Sequence, residues 1–474
     1  MRAILIIIFV LLIAIFGLPY WFGMKAEDEY NNLIEAVSTS ENLEIVSKSY
    51  KRGWLKSSAE TTYSINRGEE IPVQLIEKDT LYHGPIPIGL LSKGKLNLKP
   101  VMAVIETKAE ISTDAENQYA ESINSLPPLD FETSLALNGH GTTIVSIPGI
   151  EKKLENGKTL KWSGLSGVTN FTPELTKVSS NINSSNIEIE DDTFRVRISG
   201  VDINSNLYYP TANYTNPLGD AEIRIEEFSS EDKEDSERNK VTLANLQFAA
   251  STNQNEGLLN HVHSLEFETL VVGGNSYGPG IYELELRNIN KVAFEKIQKE
   301  LNESQDTQQS TTSSEEIWAQ IMKVLPQLLK DSPEIEITKL SIKTGEGELL
   351  GHAKIAAKGD DLNDPELAAN PLFLLAAVSA ELKLVVSKPL LENLLKDYKI
   401  EEITDEKKSK NEKLPDDKEL QNLGMSKAQA EITQMVDQNI LVIKEGNYEI
   451  QAAYRLGQIE LNGQPLNLNS LLNL

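Results

Sequence analysis

Between Ile187 and Asn288 apolar and polar side chains alternate almost residue by residue, and this period of two restricts the fold more than any other feature. Successive side chains of a strand face opposite sides, so alternation builds antiparallel sheets that bury one face and wet the other. Phe194, Val196 and Ile198 alternate with Arg195 and Arg197, and Tyr282, Leu284 and Leu286 with Glu283 and Glu285. Ala59, Thr61, Tyr63 and Ile65 begin the pattern earlier. Tyr209-Pro210, Asn216-Pro217 and Gly278-Pro279-Gly280 are predicted turns between such runs. The expected fold class is α+β and β-dominated: antiparallel, strand-rich extended sheets with packed helices, preceded by one N-terminal transmembrane helix.

That helix is expected from the unbroken apolar run Ala3 to Gly23, which follows Arg2 and meets no charge until Lys25. Its roughly 21 residues reach about 31 Å as a helix, matching a hydrocarbon core of about 30 Å. A cleaved leader would have a shorter apolar core ending at a small-x-small site, whereas here Met24 occupies the first small position of Met24-Lys25-Ala26. The reading is an uncleaved anchor that partners the bilayer through residues 3–23, with Tyr20, Trp21 and Phe22 at the headgroup level. Arg2 and the α-amino group on one flank against Lys25 on the other leave the orientation undecided. The chain contains no cysteine, which permits either side.

The domain organisation expected is an anchor over 1–24, a β-rich region over 25–301, a low-complexity linker over 302–316 and an α+β region over 317–474. Tyr30, Leu33, Ile34 and Val37 recur at the spacing of one helix stripe after the anchor, as do Phe294, Ile297 and Leu301 before the linker. Residues 370–380 read as a short buried helix, too short to span a membrane. Leu382, Leu384 and Val386 form a strand, after which Ser387 and Pro389 open a helix. The charge-rich segment 401–419 is expected as a mobile loop, and Ser426 with Gln429 as the capping box of the next helix. Turns at Glu445-Gly446-Asn447 and Asn462-Gly463 then divide a closing antiparallel meander.

The net charge of −26 lies entirely beyond the anchor's lone Arg2 and repels nucleic-acid phosphate, so no nucleic acid partner is expected. Gly89 to Lys95 has phosphate-loop spacing, but Leu96 stands where Ser or Thr must hold magnesium. His261 and His263 share one face at strand spacing, yet only Glu266 or Glu268 is near enough in sequence to complete a metal site. No thiol nucleophile and no Gly-x-Ser-x-Gly elbow is present. No catalytic residue, metal site or cofactor is assigned.

Three landmarks carry a resemblance. They are Tyr50-Lys51-Arg52-Gly53-Trp54, then His83-Gly84-Pro85, and near the end Leu461-Asn462-Gly463-Gln464-Pro465. In order and spacing they resemble the YdgA-like family of bacterial envelope proteins of unknown function. The resemblance implies an inner-membrane anchor with the bulk of the chain periplasmic, and it brings no catalytic residues. Tyr50, Gly53, Trp54, His83, Gly84, Pro85, Asn462 and Gly463 are therefore read as structural. The expected function is a non-enzymatic envelope module that binds a lipid, another apolar ligand or a partner protein, with homo-oligomers compatible. The alternative is an envelope hydrolase using carboxylates or the His261/His263 pair.

Overall fold

The structure is a computed structural model that describes residues 17–38, 43–65, 73–113, 123–124, 126–154, 157–210, 217–233, 240–305, 323–359, 373, 376–410 and 413–465. The chain divides into two compact units, the first ending at Lys240 and the second starting at Val241.

In the first unit a helix, α1 (Leu18–Ser38), precedes ten strands. These are β1 (Leu43–Lys51), β2 (Lys56–Ile65), β3 (Val73–His83), β4 (Ala103–Thr113), β5 (Leu129–Leu135), β6 (Gly141–Lys153), β7 (Thr159–Phe171), β8 (Lys177–Glu190), β9 (Phe194–Tyr208) and β10 (Leu218–Asp232). Each strand pairs antiparallel with the next in sequence, so the unit is an up-and-down meander. Helix α1 lies over β1, β3 and β4. Tyr30 and Ile34, one turn apart, are buried in a core with Ala59, Leu81, Met102, Ile105 and Leu135. Tyr30 and Ile34 of the stripe read from the sequence thus face the core. Inside β7 and β9, Gly164 and Gly200 take positive φ. The apolar positions change parity there, from Leu160 and Trp162 to Leu165 in β7 and from Val196 and Ile198 to Val201 and Ile203 in β9.

The second unit runs β11 (Val241–Asn255), β12 (Leu258–Phe267), β13 (Thr269–Val272), β14 (Asn275–Asn290), α2 (Lys291–Gln305), β15 (Glu334–Thr344), β16 (Gly347–Ala357) and β17 (Val378–Ser387). It closes with helices α3 (Lys388–Ser409) and α4 (Asp417–Asp437) and strands β18 (Val442–Lys444), β19 (Asn447–Arg455), β20 (Gln458–Leu461) and β21 (Gln464–Pro465). β12 and β13 both lie between β11 and β14. The sheet continues β14, β15, β16, β17, β19, all antiparallel. β18 and β20 share the far edge of β19, with β21 beyond β20. Ile432, Leu441 and Tyr448 form a core here, joined by Leu391 and Leu395.

Several expectations are corrected. The charge-rich segment 401–419 is not a loop: residues 401–409 finish α3 and 417–419 begin α4. Ile403 of α3 is buried, and Gly424 of α4 leaves no room for a side chain beside Ile400, so two helices pack closely where composition suggested solvent. α4 is capped at Asp416, whose Oδ1 accepts the Glu419 amide at 2.8 Å. Ser426 and Gln429 therefore lie mid-helix rather than at a capping box. Gly278-Pro279-Gly280 lies inside β14, at a register shift between Tyr277 and Gly280, because Pro at an irregularity forfeits no ladder bond.

The division into units falls at Lys240 rather than at 302–316, because β11 pairs with β12 and β13. Of the predicted linker, 302–305 finish α2 and 306–316 lie outside the described residues; of the helix expected over 370–380, residues 370–372 and 374–375 lie outside them and 378–380 instead begin β17. Residues 1–16 of the predicted anchor lie outside them too, while Pro19, Phe22 and Gly23 at its end pack within the first unit rather than towards lipid, and among the described residues no helix is long and apolar enough to cross a membrane.

Candidate functional site

The first two landmarks meet under the start of α1. His83 ends β3 and is buried, with its Nδ1 3.1 Å from the Trp54 carbonyl oxygen and its Nε2 2.8 Å from the Ser57 hydroxyl. A carbonyl only accepts, so Nδ1 carries the proton and donates, and Nε2 accepts from Ser57. Burial holds the imidazole below its usual pKa, which keeps it neutral. Gly23 of α1 sits on this ring, and a Cβ there would come within 2.5 Å of it. Gly84 is equally constrained, since its Cβ would fall 1.7 Å from the Val101 carbonyl oxygen. Gly53 and Trp54 form the β1 to β2 turn, and Pro85 fixes the chain leaving β3. Tyr50 packs against the core with its ring 5.6 Å from that of Tyr30. Among the described residues its enclosed hydroxyl has no hydrogen-bond partner, Ser57 being the polar group beside it. His83, Trp54 and Tyr50 thus meet α1 at Gly23, Tyr20 and Tyr30.

Beside them lies a buried polar cluster that alternation did not reveal. Tyr30 donates to Asp79 Oδ2 at 2.6 Å, and the Thr107 hydroxyl donates to Asp79 Oδ1. Thr61 lies 3.3 Å from the same Tyr30 oxygen. Burial raises the Asp79 pKa against the pull of Thr107 and Tyr30. Glu77, two residues back on the same face, is pushed up to about 7 by burial and by Asp79, against a hydrogen bond from Tyr63. Burial and the neighbouring carboxylates raise both tyrosines in turn. The sequence did hold a signal: Glu77 and Asp79 share parity with Leu75 and Leu81, an acidic pair set on an apolar face.

The second unit holds the feature most open to a ligand. One ladder row runs Ala250, His263, Leu284, Ile337, Ala353, Leu382, Ala452 and Leu461 across eight strands. The row beside it runs Thr252, His261, Leu286, Ile335, Ile355, Ala380, Tyr454 and Ile459. Both lie on one face, whose width of seven strand spacings is about 34 Å. Ile335, Ile355, Leu382, Phe248 and Leu265 of this face are exposed among the described residues, whereas Leu259, Ala357 and Tyr448 towards its ends are buried. The opposite face is charged. There Arg287 pairs with Glu285, Glu334 and Glu336, and Lys354 with Glu334 and Glu336.

His261 and His263 stand side by side on the apolar face, their rings 6.2 Å apart and nearly parallel. His261 is buried under Phe294 of α2, with Nδ1 2.9 Å from the Thr252 hydroxyl. Its Nε2 has no hydrogen-bond partner among the described residues. Burial and the neighbouring His263 hold its pKa down. The carboxylates weighed as a third ligand do not join the pair. Glu266 falls on the opposite face by register, and Glu268 accepts from the Asn245 amide. Among the described residues no group of three or more His, Cys, Asp or Glu converges to hold a metal. Gly89 to Lys95 forms a 3-10 turn and its exit, with Lys93 and Lys95 bound to Glu106 rather than cradling a phosphate.

The third landmark closes the same sheet. Asn462 and Gly463 both take positive φ, the requirement of a tight two-residue hairpin. The Asn462 side chain donates to the carbonyls of Asn439 at 2.7 Å and Ile440 at 3.0 Å, and accepts the Gln451 amide at 2.7 Å. It therefore pins the exit of α4 to β19.

Fold and site define a class: a β-meander protein carrying a packed N-terminal helix and a partly exposed apolar sheet face. A model of the bacterial protein family of unknown function DUF945 matches residues 2–469, and the chain belongs to that family. No curated protein and no solved structure matches it.

Proposed function

We propose that the chain is a non-enzymatic module of the bacterial envelope, of the YdgA-like kind, whose second unit binds the acyl chain of a lipid. The observation that carries this reading is the apolar face from β11 to β20, eight strands wide and exposed at Ile335, Ile355 and Leu382. A continuous apolar surface of this size is unusual on a protein that binds nothing apolar. At about 34 Å it is longer than the roughly 15 Å of one bilayer leaflet, so it accommodates an extended acyl chain. The apolar run Ala3 to Gly23 supports an inner-membrane anchor, and the landmarks support a periplasmic domain. No cofactor enters the proposal.

The test is photo-crosslinking in cells. The full chain is exposed to a photoactivatable palmitate and the labelled peptides are mapped by mass spectrometry. Label is expected on β12 to β19, and Leu382→Asp together with Ile355→Asp should remove it. Absence of label, or label unchanged by the two substitutions, overturns the reading. Crosslinks from this face to another protein in place of palmitate would assign the face to a protein partner.

A further inference from the structure

The start of α1, the β1 to β2 turn and the segment joining β3 to β4 form one surface. Tyr20 of α1 packs on Trp54 of the turn at 5.2 Å, and Arg52 lies 5.4 Å over the same tyrosine ring. Arg52 also pairs with Glu27 of the helix at 3.1 Å. The turn is tied to the joining segment by the His83 amide, which donates to the Leu55 carbonyl at 3.0 Å, and by Gly89, packed on that same carbonyl.

This surface departs from the rest of the chain in two ways. Its large apolar side chains point outward: Trp21 is 50% exposed, Trp54 53%, Leu91 53%, and Leu96 and Leu98 67% each. It is also basic in a protein of net charge −26. Residues 80–105 contain no Asp or Glu but hold Lys93, Lys95 and Lys99, and residues 45–59 contain none but hold Lys48, Lys51, Arg52 and Lys56. Glu27, Glu106 and Glu132 pair with Arg52, Lys93 and Lys95 and offset only part of that charge. Phe22, expected at the headgroup level, instead packs against the core, leaving Tyr20 and Trp21 as the exposed aromatics of the helix start.

We infer that this end of the first unit is a membrane-docking surface, in which Trp54, Leu91, Leu96 and Leu98 enter the headgroup layer and the surrounding lysines and Arg52 meet anionic lipid phosphates. Aromatic rings and long apolar side chains beside basic groups are the composition that partitions into a bilayer interface. The occupant is named by continuity, because the apolar run Ala3 to Gly23 leads directly into this surface at Leu18. Electrostatics adds orientation: charge is felt over about 8 Å at physiological salt, so a local basic patch is attracted while the acidic remainder is repelled. The inference rests on the proposed anchor, yet it is read separately from it.

The absence of cysteine from the chain makes the test direct. The full chain carrying Leu96→Cys, labelled with a nitroxide, is placed in phosphatidylethanolamine and phosphatidylglycerol vesicles. Ile223→Cys in β10 serves as the reference, and collisions with oxygen and with a water-soluble nickel chelate are compared. The Leu96 label is expected to meet oxygen at least threefold more effectively than nickel, relative to the Ile223 label. Exchanging Lys93, Lys95 and Lys99 for Gln should halve that preference. Equal nickel access at both sites overturns docking. Alkaline extraction of the same vesicles reads the anchor: a retained chain with a nickel-accessible Leu96 label sinks the docking surface alone. A released chain with a protected label sinks the anchor alone.

Discussion

Two sheet faces of similar construction end differently in this molecule. In the first unit the face of β2 to β4 lies under α1 and carries Thr61, Glu77, Asp79 and Thr107 among its apolar residues. In the second unit the face of β12 to β19 is mainly apolar, with His261 and His263 at one side, and is exposed at Ile335, Ile355 and Leu382. A covering helix brings its own donor, Tyr30, so the polar groups it buries are partnered. An exposed face has no covering helix to supply such donors, and its polar groups pair within the sheet, as Thr252 does with His261. The same contrast appears within one row of the first unit. Ala59, Asp79 and Thr107 at the helix end give way to Ile182, Ile203 and Ile223 further along the meander.

The comparison is sharpest for substitutions of matched chemistry. Leu81→Ala, at a fully buried position of the covered face, should cost about 3 kcal/mol in urea unfolding, against less than about 1 kcal/mol for Ile355→Ala on the bare face. Equal costs would mean that the second face is covered in solution, and the acyl-ligand reading would fall with it.

Glu77 tests the covered face through pH. Its pKa in the folded state is about 7, above the ordinary value near 4.5, so its protonated form favours folding. Its contribution is intact below about pH 4.5 and is lost as pH rises to about 7, a change of about 3 kcal/mol at most. Glu77→Gln should therefore unfold like the parent at pH 4 and be more stable by up to about 3 kcal/mol at pH 8. A stability difference independent of pH would show that Glu77 is solvated.

Tyr30→Phe removes the donor to Asp79 and should cost about 1–2 kcal/mol in urea unfolding. Adding Asp79→Asn should recover part of it, because the stranded carboxylate is the larger component. The smallest effect belongs to the bare face. Leu382→Ser should change stability by under about 1 kcal/mol while lowering palmitate crosslinking severalfold. A large loss of stability would instead mark Leu382 as core.

Much of this was legible locally. Alternation located β2, β9, β14 and β17, and Ser387 with Pro389 marked the start of α3, although the Ser387 hydroxyl accepts the Glu348 amide rather than capping. Asn462-Gly463 gave its hairpin because positive φ at two successive residues is a local demand. What stayed hidden depends on distant partners. The bare face joins Leu284, Ile337 and Leu382 through registers that shift at Leu259/His261, Glu283/Leu284 and Ile337/Leu340, and no single strand records those shifts. Glu77 and Asp79 read as ordinary polar positions until Tyr30, from a helix some fifty residues earlier, is laid across them. The end of α3 was missed because Ile400 and Ile403 are a sparse stripe among charges, sufficient only once Gly424 lets α4 approach.

The strand order of the first unit bears on how the chain is made. Each of its nine strands after β1 pairs with the strand just before it, so the sheet can grow one hairpin at a time as the polypeptide is made. Such near-neighbour wiring keeps the loops that must close short, and closure entropy low. The exception is α1, which precedes the sheet in sequence yet packs on β1, β3 and β4 and buries Tyr30 beside Asp79. The core that α1 joins also includes Leu135 of β5, so its complete packing requires the first five strands.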